Sequence, residues 1–261
     1  MGTKIDLKTI RLPLQYTNLK LIATVDGISD SVYYLGDKFI LKVFEQASTD
    51  NIQNEIMLLE MLKDLKVSTI IDQLIVNEKR ALIYTKIEGE SVRISNHKQI
   101  EQIGKFLKSF HKITKNKTST NKQLFTKNNL EKLVQATNEP TLKYHLHKVN
   151  CELKNDGIIH GDLFYDNAKF DNNILKGVYD FSEACNGDFI FDLAVIALSW
   201  CYDNNQLNEH KLTTLKKSYE LKINSNDFKE YIKYALVYYA ATRHLNNQNY
   251  QELLTKLDSL K

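Results

Sequence analysis

Two prolines, Pro13 and Pro140, are all that 261 residues contain, so little interrupts regular secondary structure. Cysteine is scarce too. Cys151, Cys185 and Cys201 are odd in number and widely spaced. That excludes a disulfide framework and a CxxC metal site, and fits a reducing compartment. No apolar run reaches the roughly 18 residues a membrane-spanning helix needs. The opening MGTKIDLKTI lacks the apolar stretch of a signal peptide, and Asp6 stands where a myristoylation signal needs Ser or Thr. A cytoplasmic protein with no membrane partner is expected. Net charge is only +3, and the lysines are scattered among acids. That pattern describes a solvated surface, and it argues against a nucleic-acid partner, which calls for a dense basic face.

Hydrophobic residues make up 43%, enough for a real core, and the length allows one large domain or two small ones. The first 87 residues read as β-rich with one helix. Strands at 30–35 and 38–44 flank Gly36-Asp37 as a hairpin. A helix over 48–65 has apolar residues at Ile52, Ile56, Leu59 and Leu62, with Ser48, Thr49 or Asp50 as cap. Strands at 72–77 and 80–87 turn at Asn77-Glu78-Lys79. The remainder, 88–261, reads as mainly helical. Helices are expected at 97–113, 128–137, 141–155, 188–202, 208–222, 226–246 and 248–260. Residues 114–129, rich in Lys, Asn and Thr, read as an exposed loop. The oligomeric state is not encoded in any recognisable pattern.

One stretch stands apart. In IIHGDLFYDNAKF (158–170) an apolar lead is followed by a histidine, a glycine, two aspartates and an asparagine. GVYDFSE (177–183) then brings Asp180 and Glu183 behind a second short apolar run. Such crowding of oxygen ligands suits a metal-bound polyanion. Mg2+ takes hard oxygen donors, and Asp162, Asn167 and Asp180 can supply them. A strand pair at 168–170 and 174–179, turning at 171–173, would carry Asp180 back to Asp162 and Asn167. An EF-hand is excluded, because its acidic spacing and central glycine are absent.

HGDLFYDN followed by YDFSE resembles the catalytic loop and metal-binding segment of the aminoglycoside phosphotransferase and choline kinase superfamily. The stretch 177–203 is similar to the type II homoserine kinases of bacteria. The resemblance implies an α+β, protein-kinase-like, two-lobed fold, with a cleft between a nucleotide-binding lobe (1–87) and a catalytic lobe (88–261). It implies a kinase acting on a small-molecule hydroxyl with ATP and Mg2+. Asp162 matches the catalytic aspartate that orients the hydroxyl, and Asn167 and Asp180 match the metal ligands. His160 and Asp192 match residues that support the loop.

Such a kinase needs a strand lysine paired with a helix glutamate. Lys42, within FILKVF, is costly to bury unpaired. Glu55 is the expected partner and Glu60 its rival. Ser29 and Ser31, in VDGISDSVYYL, could hold phosphate oxygens, although the glycine-rich consensus of protein kinases is absent. Adenine is expected near Thr85 to Ile87.

For the acceptor, residues 201–261 hold nine Lys/Arg against seven Asp/Glu, which does not favour a polycationic aminoglycoside. Choline would suit an aromatic cage drawn from Trp200, Tyr202, Tyr231, Tyr234, Tyr238 and Tyr239. An amino-acid acceptor needs a carboxylate clamp, and the chain has four arginines, Arg11, Arg80, Arg93 and Arg243. Arg243 matches an arginine of the homoserine kinases. Asp203 matches an acidic position that could face a substrate ammonium, and Glu183 joins it as a substrate candidate. L-homoserine is the expected acceptor. Choline, ethanolamine, sugar or aminoglycoside kinases of the same fold are the alternatives, and a nucleotide-binding pseudokinase is the alternative of another class.

Overall fold

The computed structural model describes residues 10, 12–24 and 30–260. Ser29 and Arg11 lie outside them. The architecture is the mixed α+β one expected, divided into two compact units, Met1–Glu88 and Gly89–Lys261.

In the first unit, strands β1 (Leu21–Ala23), β2 (Ser31–Leu35), β3 (Phe39–Val43), β4 (Ile70–Val76) and β5 (Lys79–Thr85) form an antiparallel sheet in the order β1-β2-β3-β5-β4. The period of two along a strand decides which residues face which side. Leu41 and Val43 of β3 join Tyr33, Leu35, Ala81 and Ile83 in a buried cluster. Lys42, between them, faces the other way, where helix α1 (Thr49–Met61) supplies Glu55. Ser48 caps α1 by accepting the Asn51 N–H at 3.2 Å. The helix ends at Met61, short of the expected 65, because buried Leu62 leaves the helical backbone as its cap. The β4–β5 turn is two residues rather than three. Asn77 and Glu78 take φ of 48° and 66°, and Lys79 is already paired with Val76.

The second unit contains helices α2 (His97–Thr114), α3 (Lys127–Thr137), α4 (Pro140–Lys148), α5 (Phe189–Trp200), α6 (Glu209–Tyr219), α7 (Ser225–Leu245) and α8 (Gln251–Ser259). Helix α5, FIFDLAVIALSW, is apolar almost all round, and burial on nearly every side follows. Its cap, Asp188, accepts the N–H groups of Ile190 and Phe191. Three two-stranded ladders complete the unit: β6 (Gly157–Ile159) with β9 (Cys185–Gly187), β7 (Ala168–Asp171) with β8 (Ile174–Val178), and β10 (Tyr202–Asp203) with β11 (Gln206–Leu207).

Two expectations fail here. The helix expected over 141–155 stops at Lys148. Beyond it the main chain finds partners outside any helix: Asn150 N–H donates to Glu230, Lys154 N–H to Asp188, and Asp156 N–H to the Gly187 carbonyl. The stretch 114–129 is not simply an exposed loop. Phe125 is buried within it, and Asn121 donates from its amide to the Ala184 carbonyl. Among the described residues no helix is long and apolar enough to cross a membrane.

Candidate active site

The loop after β6 is fixed from several sides. Gly161 adopts φ of +78°, and a Cβ there would meet the Phe125 ring at 2.5 Å. The Gly161 carbonyl accepts the Tyr239 hydroxyl, and the Leu163 carbonyl accepts the Trp200 indole N–H at 3.1 Å. Asp192, wholly buried on α5, accepts the N–H groups of His160 and Gly161, each at 2.9 Å. Leu163 and Phe164 anchor in the core, so half-buried Asp162 projects from a held backbone.

Asn167 then ties Asp162 down. Its Nδ2 donates to the Asp162 main-chain carbonyl at 2.7 Å and to the Asp162 carboxylate at 3.0 Å. Both amide hydrogens are thereby used, and the amide oxygen is left as a donor for a cation. The β7–β8 ladder pairs Ala168 with Val178, and the Tyr179 N–H donates to the Asn167 carbonyl at 3.1 Å. Asp180 follows directly. The His160 ring bridges the same two segments, accepting the Asp162 N–H on Nδ1 at 3.2 Å and reaching the Tyr179 carbonyl with Nε2 at 3.3 Å. Burial holds the His160 pKa below its ordinary value, which matches a neutral ring that accepts on one nitrogen and donates from the other.

The electrostatics are those of crowded acids. Burial raises the Asp162 pKa well above the ordinary aspartate value, and the charges of Asp180, Glu183 and Asp166 add to it, against the Asn167 hydrogen bond. Glu183 is exposed to solvent, and partial desolvation followed by the Asp180 charge raises its pKa as well. Asp180 takes φ of +62°, an unusual backbone for a non-glycine residue, and its carboxylate accepts the Ser182 hydroxyl at 2.6 Å. Among the described residues no three His, Cys, Asp or Glu side chains gather as a metal cluster. The oxygen-only pair of Asn167 and Asp180, beside the Asp162 carboxylate, does fit a hard dication that completes its shell with phosphate and water.

In the first unit Lys42 is 8% exposed, with its ammonium 3.8 Å from Glu55 and 3.5 Å from Asp30. The Tyr84 hydroxyl donates to the other Glu55 oxygen at 2.8 Å. Glu60, the rival, sits on the exposed side of α1 and pairs with Lys63. Thr85 ends β5, where its Oγ1 accepts the Thr69 N–H, and Ile87 lies half-buried just beyond.

Residues 20–212 match the model of the phosphotransferase enzyme family. The chain belongs to that family. A homoserine kinase of Bartonella henselae is 30% identical over 222 residues, 75% of this chain and 70% of its own. A homoserine kinase of Bartonella tribocorum is 32% identical over 136 residues, 47% of this chain and 43% of its own. Among solved structures, the GDP complex of aminoglycoside 2'-phosphotransferase-IIIa superposes with a TM-score of 0.65 at 14% identity, over 95% of this chain and 93% of its own. That likeness shows the fold. Membership of the phosphotransferase family makes the chain a small-molecule kinase.

The acceptor candidates fare unevenly on this phosphotransferase frame. Arg243 stands with its guanidinium 5.8 Å from the centre of the Phe164 ring, next to the loop that carries Asp162. Asp203 is already engaged. Lys211 holds one of its oxygens at 2.5 Å and Asn208 the other at 2.8 Å, so the carboxylate braces the β10–β11 hairpin against α6. Ser31 is buried, and its hydroxyl is given to Glu45, a carboxylate that would repel phosphate. The aromatic cage does not form either. Trp200, Tyr231, Tyr234, Tyr238 and Tyr239 are buried as core, and Tyr202 faces Lys256.

Three residues escaped the sequence reading. Asp30 partners Lys42, and Tyr84 holds Glu55. His111, on α2, donates to Asp192 at 2.9 Å. Burial pushes the Asp192 carboxyl up, but the hydrogen bond from His111, the electrostatic pull of the His111 and His160 rings and the Gly161 N–H outweigh it, and its pKa lies below the ordinary value of 3.8. His111 had left a signal: it falls within the apolar stripe Ile103, Leu107, Phe110 of α2, where an imidazole must find partners.

Proposed function

We propose that the chain transfers the terminal phosphoryl group of ATP to the side-chain hydroxyl of L-homoserine. The observation that supports the phosphoryl chemistry is the knot of Asp162, Asn167, His160 and Tyr179, which joins the Asp162 and Asn167 side chains and brings the chain at Asp180 alongside, where its charge acts on Asp162. Asp162 orients the acceptor hydroxyl and takes its proton. Asn167 keeps that carboxylate in one rotamer. A Mg2+ ion held by Asn167 and Asp180 would supply charge neutralisation on the phosphates. Lys42 holds the nucleotide phosphates, and Glu55, fixed by Tyr84, keeps the ammonium extended. Adenine lies against the main chain near Thr85 and Ile87.

Two observations support an amino-acid acceptor. The relatives reported above are homoserine kinases, and Arg243 offers a bidentate fork for a carboxylate beside Phe164. Glu183, exposed and within electrostatic reach of Asp162 and Asp180, takes the ammonium role that the sequence had offered to Asp203. The buried aromatics count against choline.

The deciding experiment is an ADP-release assay with Mg2+ and either ATP or GTP. The acceptor panel is L-homoserine, L-threonine, choline, ethanolamine, a hexose and kanamycin. Turnover with homoserine at least about tenfold above every other acceptor is expected. A clear preference for choline or kanamycin overturns the acceptor. Nucleotide binding without turnover of any acceptor overturns the kinase.

A further inference from the structure

The Asp162 loop is held by a carboxylate that is itself held. His111 lies on α2, 3% exposed, and reaches two other helices at once. Its Nε2 stands 2.9 Å from the Asp192 carboxylate on α5, and its Nδ1 stands 2.7 Å from the Tyr219 hydroxyl at the end of α6. Its ring lies flat on Phe189, with centroids 3.9 Å apart and planes 5° from parallel. Three contacts in three directions leave the imidazole no rotational freedom.

The hydrogen assignment follows from the partners. A carboxylate only accepts, so Nε2 carries the hydrogen shared with Asp192. In the neutral ring Nδ1 then accepts from the Tyr219 hydroxyl. On the far side, the same Asp192 oxygen accepts the His160 N–H, and its other oxygen accepts the Gly161 N–H. The next residue is Asp162. His160 hydrogen-bonds Asp192 through its main-chain N–H, which makes His111 the side-chain donor to this wholly buried carboxylate among the described residues.

We propose that His111 is a positioning residue for phosphoryl transfer. Oriented by Tyr219, it fixes Asp192, and Asp192 fixes the main-chain amides from which Asp162 projects. This rests on Asp162 being the residue that orients the acceptor hydroxyl. A helix far from the chemistry thereby sets the angle of the carboxylate. A buried charge deprived of its donor turns or takes in water, and the amides of His160 and Gly161 turn with it.

The test compares His111→Asn and Tyr219→Phe with the parent. Four quantities are read: kcat, the nucleotide KM, the thermal midpoint, and hydrogen exchange at residues 160–162. The Asn variant keeps one donor but cannot span Asp192 and Tyr219 together. It should lower kcat by about tenfold or more while the nucleotide KM moves less than about twofold. Exchange should quicken at residues 160–162 before it does in the rest of the unit. Tyr219→Phe keeps the ring packing and should give a smaller change of the same pattern. If His111→Asn does not fold, this variant decides alone. Parental kcat with parental protection at 160–162 in a folded variant overturns the proposal. So does a uniform loss of protection with kcat per folded molecule unchanged, which would leave His111 a role in stability only. Should no acceptor be turned over even by the parent, the exchange measurement still decides whether His111 holds the loop, and the failure then belongs to the kinase reading.

Discussion

Both amide hydrogens of Asn167 go to Asp162, one to its main-chain carbonyl at 2.7 Å and one to its carboxylate at 3.0 Å. The asparagine is therefore a clamp on the Asp162 carboxylate as well as a candidate cation ligand. Asn167→Asp would keep a metal ligand but supply no hydrogen and add a like charge. Turnover should fall by about a hundredfold, with weaker dependence on Mg2+ concentration than in Asp180→Ala, which removes a ligand alone. Titrating activity against Mg2+ in the two variants separates these roles.

Asp162→Ala removes the carboxylate to which we assign the orienting role, without touching the backbone bonds to Asp192. A loss of at least about two orders of magnitude in kcat is expected, with nucleotide affinity by calorimetry nearly unchanged. Parental turnover in that variant would sink the role assignment.

Gly161→Ala meets two obstacles, the φ of +78° and the Phe125 ring at 2.5 Å. A destabilisation of about 2–3 kcal/mol by chemical denaturation is expected. Adding Phe125→Leu relieves the contact but not the backbone conformation, so it should restore only part of the loss.

Arg243→Lys tests the carboxylate clamp. A point charge replaces a planar fork, and the cation stays near Phe164. The KM for homoserine should rise about tenfold while that for the nucleotide holds. An equal rise in both would place Arg243 outside the acceptor site.

Asp192 has a pH signature. Its native pKa lies below the ordinary value of 3.8, so its stabilisation is present in full above that value and is lost as pH falls through the lowered native pKa. Asp192→Asn removes this contribution at every pH. The stability gap between parent and variant, about 2 kcal/mol, should stay level from about pH 7 to 5 and narrow below about pH 4. Denaturant melts at a series of pH values measure it.

Part of this was legible in the sequence. Lys42 drew notice as a lone charge in the apolar run FILKVF, and the crowding of Asp162, Asn167 and Asp180 behind apolar leads singled out the loop that Asp192 and Tyr239 hold in place. What remained hidden depends on partners remote in sequence. Asp203 looks available until Lys211 folds back onto it. The helix expected to 155 gives way at Lys148 because Glu230 and Asp188 offer its backbone other acceptors. Asp30 and Tyr84 sit at strand ends, where no local pattern marks a side chain as part of an ion-pair network.

Three tight reversals among the described residues are built from asparagine. Asn172-Asn173 and Asn204-Asn205 hold left-handed backbones at both central positions, and Asn77 does so beside Glu78. With nine glycines in 261 residues, the chain makes its corners from a residue that tolerates this geometry yet wanders less when unfolded. Glycine placed at Asn204 or Asn205 would ease the native bend and loosen the denatured chain by similar amounts. Such exchanges should leave melting temperature almost level, which makes this corner a convenient point for attaching probes or tags without disturbing the loop that holds Asp162.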